Sequence, residues 1–313
     1  MQMISAGDTI DALSISEAAE IIADTYARLA SGEVTPSSPS AMRIAGPPHR
    51  IQVKGAVLHH KGIAGARLSS LSDPRLILWD LNTGAPIVLM EEKWLYTFRT
   101  GISGAVVAHW LSPCPQPRIA LIGAGKIATQ MARGFAQLCS PTSIRVASRS
   151  QESAEKLVSA VATDGLDIKA KSNIEDMVRE ADIVATITTA TSPIVKSSWM
   201  KPGALALSMG GAQEFEPDIW HTANHRFVDD IDYALYQGDL SALVKSGTAT
   251  RDEVQSAIVS IGEVANGRWP GRSGPFEGVY AVIQGLTALD LALADRIAAA
   301  YSEKQPRAAS RQS

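Results

Sequence analysis

Apolar side chains recur at helical spacing over residues 9–30 (TIDALSISEAAEIIADTYARLA), with Ser14 or Ser16 placed as an N-cap and acids in the first turn. Residues 31–48 are rich in Ser, Pro and Gly and read as a loop. Short runs with β-branched residues follow (RIQVKGAVL, IAGARLSSL, RLILWDL and PIVLMEE), broken by turn residues such as Asn82-Thr83-Gly84. They predict a sheet of antiparallel strands. Residues 93–111 (KWLYTFRTGISGAVVAHWL) predict a helix with small residues on one face. The proline-rich stretch 112–117 (SPCPQP) marks a domain boundary.

Beyond residue 117 the pattern alternates. RIALIGAG, SIRVASRS, DIVATITT, GALALSMGG and HRFVDDI predict strands, while KIATQMARGFAQL, QESAEKLVSAVA and IEDMVREA predict helices. Strands alternating with helices imply βαβ units and a doubly wound parallel sheet. Residues 252–265 and 275–300 also predict helices. The second is long and rich in Ala and Leu, suited to burial or to a subunit interface. Residues 302–313 (SEKQPRAASRQS) predict a disordered tail.

The first strand of the alternating half runs into Gly123-Ala124-Gly125-Lys126-Ile127-Ala128, a G-x-G-x-x-A turn that opens a helix. The first glycine permits the tight turn, the second lets a pyrophosphate approach the backbone, and the small third residue lets helix and strand pack. The helix N-terminus then points at the phosphates. Gly123, Gly125, Lys126 and Ile127 are candidate contacts to a nicotinamide dinucleotide. Thr188, Met209 and Gly210, in the later strand segments, are further candidates.

The end of the second strand bears on which dinucleotide is bound. An NAD site presents Asp or Glu there to the ribose hydroxyls. This chain has Ser148-Arg149-Ser150. Arg149 offers a fork of donors to a 2′-phosphate and the serines add hydroxyl bonds, so NADP(H) is expected over NAD(H).

Composition changes little. The 313 residues suffice for two domains, and 45% hydrophobic with 19% charged residues fits a globular protein. A net charge of -3 gives no reason to expect nucleic acid or an anionic membrane as partner. Cys114 and Cys139 have neither metal nor redox spacing and read as reduced buried thiols, so no metal is expected. The N-terminal segment lacks the basic and apolar regions of a signal peptide, and no apolar run is long enough to span a membrane, so the expectation is a cytoplasmic protein.

In family order, TGAPIVLMEEKWLYTFRTGISGAVVAHWL, RIALIGAG, ADIVATITTATSPIV, ALALSMGG, VDD and IGEVANGRWPGRSG-PFEGVYAVIQGLTALDLA resemble the ornithine cyclodeaminase/μ-crystallin family over most of the chain. The resemblance implies an α/β fold: a Rossmann-type doubly wound parallel sheet plus a smaller α+β substrate and dimerisation domain. Residues 1–112 would form that smaller domain, with a C-terminal helix at about residues 286–301 returning to it. Residues 113–285 would bind the dinucleotide. The chain would act as a homodimer on a small amino or imino acid. The resemblance also gives Arg99 the role of carboxylate binder, and Arg43 that of a second arginine reaching the substrate.

Three departures from the family pattern stand out. Where the family has a lysine in a G-x-K strand, this chain has Gly65-Ala66-Arg67. Arginine stays charged and cannot shuttle a proton, so Arg67 reads as an anion clamp. Lys54, on the preceding strand, could serve as proton donor or hold a distal carboxylate; His59 and His60 read as surface residues. Lys54 and Arg67 together suggest a substrate with two carboxylates. Cyclodeaminases carry an aspartate where this chain has Ala212, and the nearest acids are Glu214, Glu216 and Asp218. Tyr280 replaces a family glycine and is a candidate for the substrate pocket.

The expected function is NADPH-dependent reduction of an imine or ketimine carboxylate, or the reverse amino-acid dehydrogenation. Lys54, Arg67 and Arg99 would be catalytic, with Arg43 and Tyr280 also at the substrate. The proton would come from Lys54, a histidine or water. Two alternatives stand beside this reading: an ornithine cyclodeaminase-type lyase using NAD catalytically, and a non-catalytic NADP-dependent binder of a small ligand.

Overall fold

The computed structural model describes residues 1–38, 41–46, 49–69 and 73–304. Its elements begin with β1 (Gln2–Ile4), α1 (Ala6–Thr9), α2 (Ile15–Ala30), β2 (Val34–Pro36), β3 (Met42–Gly46), β4 (His49–Leu58), β5 (Ile63–Ser69), β6 (Arg75–Asp80), β7 (Pro86–Glu91) and α3 (Lys93–Leu111). There follow β8 (Arg118–Ile122), α4 (Lys126–Leu138), β9 (Ser143–Ala147), α5 (Gln151–Val161), β10 (Ile168–Ala170), α6 (Ile174–Glu180), β11 (Ile183–Thr186), β12 (Leu205–Ser208), α7 (Ile219–Thr222) and β13 (His225–Val228). Last come α8 (Ile231–Tyr236), α9 (Gly238–Lys245), α10 (Arg251–Ala257), β14 (Val259–Ser260), α11 (Ile261–Ala265), β15 (Val279–Val282) and α12 (Thr287–Lys304).

The chain divides into two compact units, Met1–Arg99 with the chain from Leu286 onward, and Thr100–Gly285. The division falls inside α3, whereas the sequence placed a boundary at the prolines after residue 111. Small residues explain the difference. A Cβ on Gly101 would lie 2.6 Å from the Met131 backbone nitrogen, and one on Gly134 would lie 2.6 Å from the Ala105 Cβ. The second part of α3 is therefore keyed to α4.

In the first unit the described strands form a sheet in the order β1-β7-β6-β5-β4-β2, with β3 also pairing β4. All pairs are antiparallel except β1 with β7. Alternation shows one covered face: Lys54, Ala56, Leu58, Ile63, Gly65, Arg67, Leu76, Leu78, Val88 and Met90 are buried, while their neighbours in sequence are not. Helices α2 and α12 pack together, and α12 also lies along β4 and β5. Gly65 lets α12 come close, since a Cβ there would stand 2.7 Å from Leu291 Cδ2. Two strands, β2 and β3, lie in the stretch read as a loop. Three-residue β2 ends in Pro36 and sits at the sheet edge, where a missing N–H is tolerated.

The second unit holds a parallel sheet in the order β10-β9-β8-β11-β12-β15-β13-β14. Strands β11, β12 and β15 are buried at every position, as strands covered on both faces must be. The chain leaves β8 toward β9 and β10, then returns to β11 on the other side. A topological switch point therefore lies between β8 and β11.

The helix expected over 275–300 is instead strand β15, a link and helix α12. Val-Tyr-Ala-Val is apolar on both faces, and periodicity cannot separate such a strand from a buried helix. Gly285, at φ 94°, sits in the link between them. The helix expected over 252–265 is likewise interrupted, by edge strand β14, after which Ser260 caps α11. Residues 302–304 belong to α12 rather than to a tail; 305–313 lie outside the described residues.

Candidate active site

Gly123 adopts φ 125°, and a Cβ there would lie 2.3 Å from the Ile187 carbonyl oxygen. Its N–H donates to the Ala147 carbonyl at 2.8 Å, tying the glycine turn to the end of β9. Gly125 is the N-cap of α4 and supplies no side-chain cap; a Cβ on it would meet nothing within 4 Å. Ala128 is buried, as close helix–strand packing needs. Lys126 is exposed and Ile127 half-buried. An open approach to a helix N-terminus at the switch point fits a dinucleotide pyrophosphate.

At the β9 tip, Ser148 Oγ donates to the Ser150 carbonyl at 2.6 Å, and Ser150 Oγ accepts from Ser153 N–H to cap α5. Arg149 is exposed and pairs with no acid among the described residues. Glu152, the nearest acid in the chain, pairs with Lys156 at 2.6 Å. On the other side of β9, the Lys171 N–H donates to the Val146 carbonyl at 2.8 Å. That bond sets exposed Lys171 beside the same strand end.

Past the ends of β11 and β12 stands Glu214, fully buried. Its Oε1 accepts the Thr188 N–H at 2.7 Å; its Oε2 accepts the Thr186 hydroxyl at 2.6 Å, the Gly210 N–H at 2.7 Å and the Ser208 hydroxyl at 3.3 Å. The Glu214 N–H donates to Asp239 at 2.5 Å, and Asp239 accepts the Tyr280 hydroxyl at 2.7 Å. Burial pushes the Asp239 carboxyl up to about 7, against the opposing bonds from Tyr280 and the Glu214 backbone. Burial and the adjacent Asp239 raise the Tyr280 phenol well above its ordinary range.

Two sequence expectations are corrected here. Tyr280 does not face a substrate pocket: its ring is buried edge-on to Phe215, and its hydroxyl is spent on Asp239. The Met209 side chain lies in the core rather than on an open cofactor surface, and a Cβ on Gly104 of α3 would touch its sulfur. Thr188 and Gly210 do stand at the strand ends. Of the acids after Ala212, Glu214 is buried, Glu216 half-buried and Asp218 exposed. Glu214 is engaged as described, Glu216 lies 4.0 Å from Lys196, and Asp218 accepts the Ser197 hydroxyl.

In the first unit the cations gather on the covered sheet face. Lys54 is directly opposite Arg67 across β4 and β5, and Arg43 is opposite Gln52, two residues before Lys54. Facing pairs put their side chains on one side of a sheet. Arg99 reaches this cluster from α3. Its Nε and Nη2 donate to the two oxygens of Asp290 at 2.7 and 2.8 Å. Arg67 Nε lies 2.5 Å from Glu92 without hydrogen-bond alignment, and its Nη1 lies 3.9 Å from Asp290. Its guanidinium also sits 4.5 Å from the centre of the Tyr96 ring. Burial works to lower the Arg67 pKa, but Asp290 and Glu92 outweigh it and hold the side chain raised and cationic. Burial raises Glu92, only partly offset by Arg67.

The arginines were legible in the sequence, whereas Glu92, Tyr96 and Asp290 were not. The available signal was an acid, Asp290, inside the apolar run ALDLA. Arg99 is thus mainly committed to an acid of its own chain; buried Nη1 has no hydrogen-bond partner among the described residues. His59 and His60 lie in a short 3-10 turn beyond Leu58, which is itself about 13 Å along β4 from Lys54. No group of His, Cys, Asp and Glu among the described residues could hold a metal ion. No helix among them is long and apolar enough to cross a membrane.

A sequence model of the ornithine cyclodeaminase/mu-crystallin family matches residues 69–305. Among curated proteins, ketimine reductase mu-crystallin of Rattus norvegicus is 26% identical over 219 residues, covering 69% of this chain and 67% of that protein. Among solved structures, an archaeal alanine dehydrogenase dimer with bound NAD superposes with a TM-score of 0.88 at 21% identity, covering 96% of each chain. The iminosuccinate reductase of Paracoccus denitrificans in complex with NAD+ gives 0.88 at 20% identity, covering 97% of each.

Proposed function

The chain belongs to the ornithine cyclodeaminase/mu-crystallin family, and from that premise we propose that it is an NAD(P)-dependent oxidoreductase that reduces an imine carboxylate to the amino acid. The observation that carries this reading is the buried row in which Lys54 faces Arg67 beside Arg99, in a chain that also carries a dinucleotide cradle.

A bound dinucleotide supplies the hydride. The chain's own part is to hold the carboxylate next to the C=N carbon and to protonate the nitrogen as the carbon is reduced. Arg67 is fixed as a cation by its acids and cannot give up a proton. Lys54, on the same face, donates it. His59 and His60 lie beyond the end of β4, past Leu58. Four cationic side chains, Arg43, Lys54, Arg67 and Arg99, come to this region of the first unit, and such a set suits a substrate with a second carboxylate, as iminosuccinate has.

Loss of the cyclodeaminase acid at Ala212, with Glu214 fully engaged, supports reduction over cyclodeamination. The test is NADPH and NADH oxidation with pyruvate or oxaloacetate plus ammonia and with cyclic imino acids. No oxidation with any of these, and no reverse reaction with amino acids, would refute the reading.

NADP(H) is the proposed cofactor. Unpaired Arg149 and adjacent Lys171 present two cations where an NAD site presents an acid. A homodimer is proposed on the likeness to the alanine dehydrogenase dimer. Helix α12 is buried against its own unit, so the proposed contact is the opposite sheet face, where Met42, Ile44 and Leu68 are exposed. A monomer in analytical ultracentrifugation would exclude it.

A further inference from the structure

Strands β11 and β12 stay in register up to Thr186 and Ser208, and one more ladder bond, Met209 N–H to the Thr186 carbonyl, closes the pairing. Beyond it the two chains diverge at the carboxyl end of the sheet, next to the glycine turn. Backbone exits there are ordinarily free to vary. Here one carboxylate joins them. Glu214 takes a peptide N–H from each exit, Thr188 from the first and Gly210 from the second, and a hydroxyl from the last residue of each strand.

The joining group is itself held from below. Besides its N–H bond to Asp239, Glu214 accepts the N–H groups of Ile194 and Val195 at its carbonyl, at 2.8 and 3.2 Å. Asp239 is in turn fixed by Tyr280 on β15. A Cβ on Gly210 would lie 2.4 Å from Glu214 Cδ, so a side chain there would displace this carboxylate. Hydrogen bonds to a charged acceptor are the stronger kind, and an unsatisfied buried partner is costly.

We infer that Glu214 is a positioning residue for the nicotinamide half of the dinucleotide, acting by clamping the exits of β11 and β12 through Thr188 and Gly210. The inference rests on the reading that this unit binds a dinucleotide at the carboxyl ends of its strands. The adenosine half lies on the other side of the switch point, at the β9 tip, and makes no use of Glu214. Replacing the carboxylate by an amide turns an NH2 group toward backbone N–H donors, so one exit loses its acceptor whichever way the amide faces.

The test compares two ligands on the full-length chain. NADPH reports on the whole site, and 2′,5′-ADP reports on the adenosine half alone; both are titrated by calorimetry against wild type, Glu214→Gln and Thr186→Val. In Glu214→Gln, NADPH should bind about tenfold or more weakly, while 2′,5′-ADP changes less than about twofold. Thr186→Val, which removes one donor to the clamp and keeps the side-chain volume, should move NADPH by about threefold in the same direction. It serves alone if Glu214→Gln does not fold. Equal losses for both ligands, or no loss for either, would overturn the inference. A wild type that binds 2′,5′-ADP but not NADPH would also overturn it. A wild type that binds neither ligand nor NADH would instead refute the dinucleotide reading beneath it.

Discussion

The two units bury charge in different ways. In the first, Arg67 and Arg99 are set against Glu92 and Asp290, so ion meets ion. In the second, Glu214 and Asp239 meet no cation among the described residues; backbone N–H and hydroxyl donors satisfy them. The ion cluster arranges charge, setting Arg67 and Arg99 against Glu92 and Asp290 on the sheet face that also carries Lys54 and Arg43. The carboxylate network arranges backbone, fixing where two strand exits stand. Both are buried polar systems, but one suits recognition of a charge and the other suits placement of a cofactor.

The comparison breaks most sharply at Asp290. Asp290→Asn leaves Arg99 against a neutral amide and strips Arg67 of one acid, so the fold should lose about 3–5 kcal/mol in chemical denaturation. A loss under about 1 kcal/mol would mean that the pairing is not what keeps these arginines buried. Lys54→Met tests the proposed proton donor. Methionine retains the unbranched volume, and kcat/KM with the best imino acid should fall about 100-fold or more at a temperature where the variant stays folded. Retained activity would remove Lys54 from proton transfer.

Arg149→Ala probes charge recognition in the second unit. It should raise the KM for NADPH about tenfold and leave that for NADH unchanged; equal effects on both would discard the 2′-phosphate assignment.

The mildest test reads a slope. Asp239 has a folded-state pKa of about 7 against an ordinary 3.8, so its protonated form favours the folded chain. That contribution is complete in acid below the ordinary value and drains away as pH rises through about 7. Asp239→Asn should flatten this part of the stability–pH curve, measured by melting temperature from about pH 4 to about pH 8. An unchanged slope would assign it to another group.

Much of this was legible beforehand, for physical reasons. The Rossmann strands announced themselves because burial on both faces makes them continuous apolar runs, and Gly123 because its turn, at φ 125° and close against Ile187, leaves no room for a side chain. The same continuity hid β15, whose four residues read as part of the next helix. Lys54, Arg67 and Arg99 were found as cations, yet their partners were not, since Asp290 lies 191 residues from Arg99 in the chain. Tyr280 was noticed for the wrong reason. Its departure from a family glycine marks a foot of the Glu214 network, which only the fold assembles.

Helix α12 has one further consequence. The second unit is a single uninterrupted stretch, whereas the first is begun at residue 1 and completed only after Gly285. On a ribosome, Arg67 and Arg99 therefore emerge long before Asp290 is synthesised. The central unit can close its core during translation, while the first sheet waits with Gly65 uncovered and Arg99 without Asp290. The first unit therefore cannot complete its core until α12 has been made, and a chain stopped at Gly285 would leave the covered face of that sheet open.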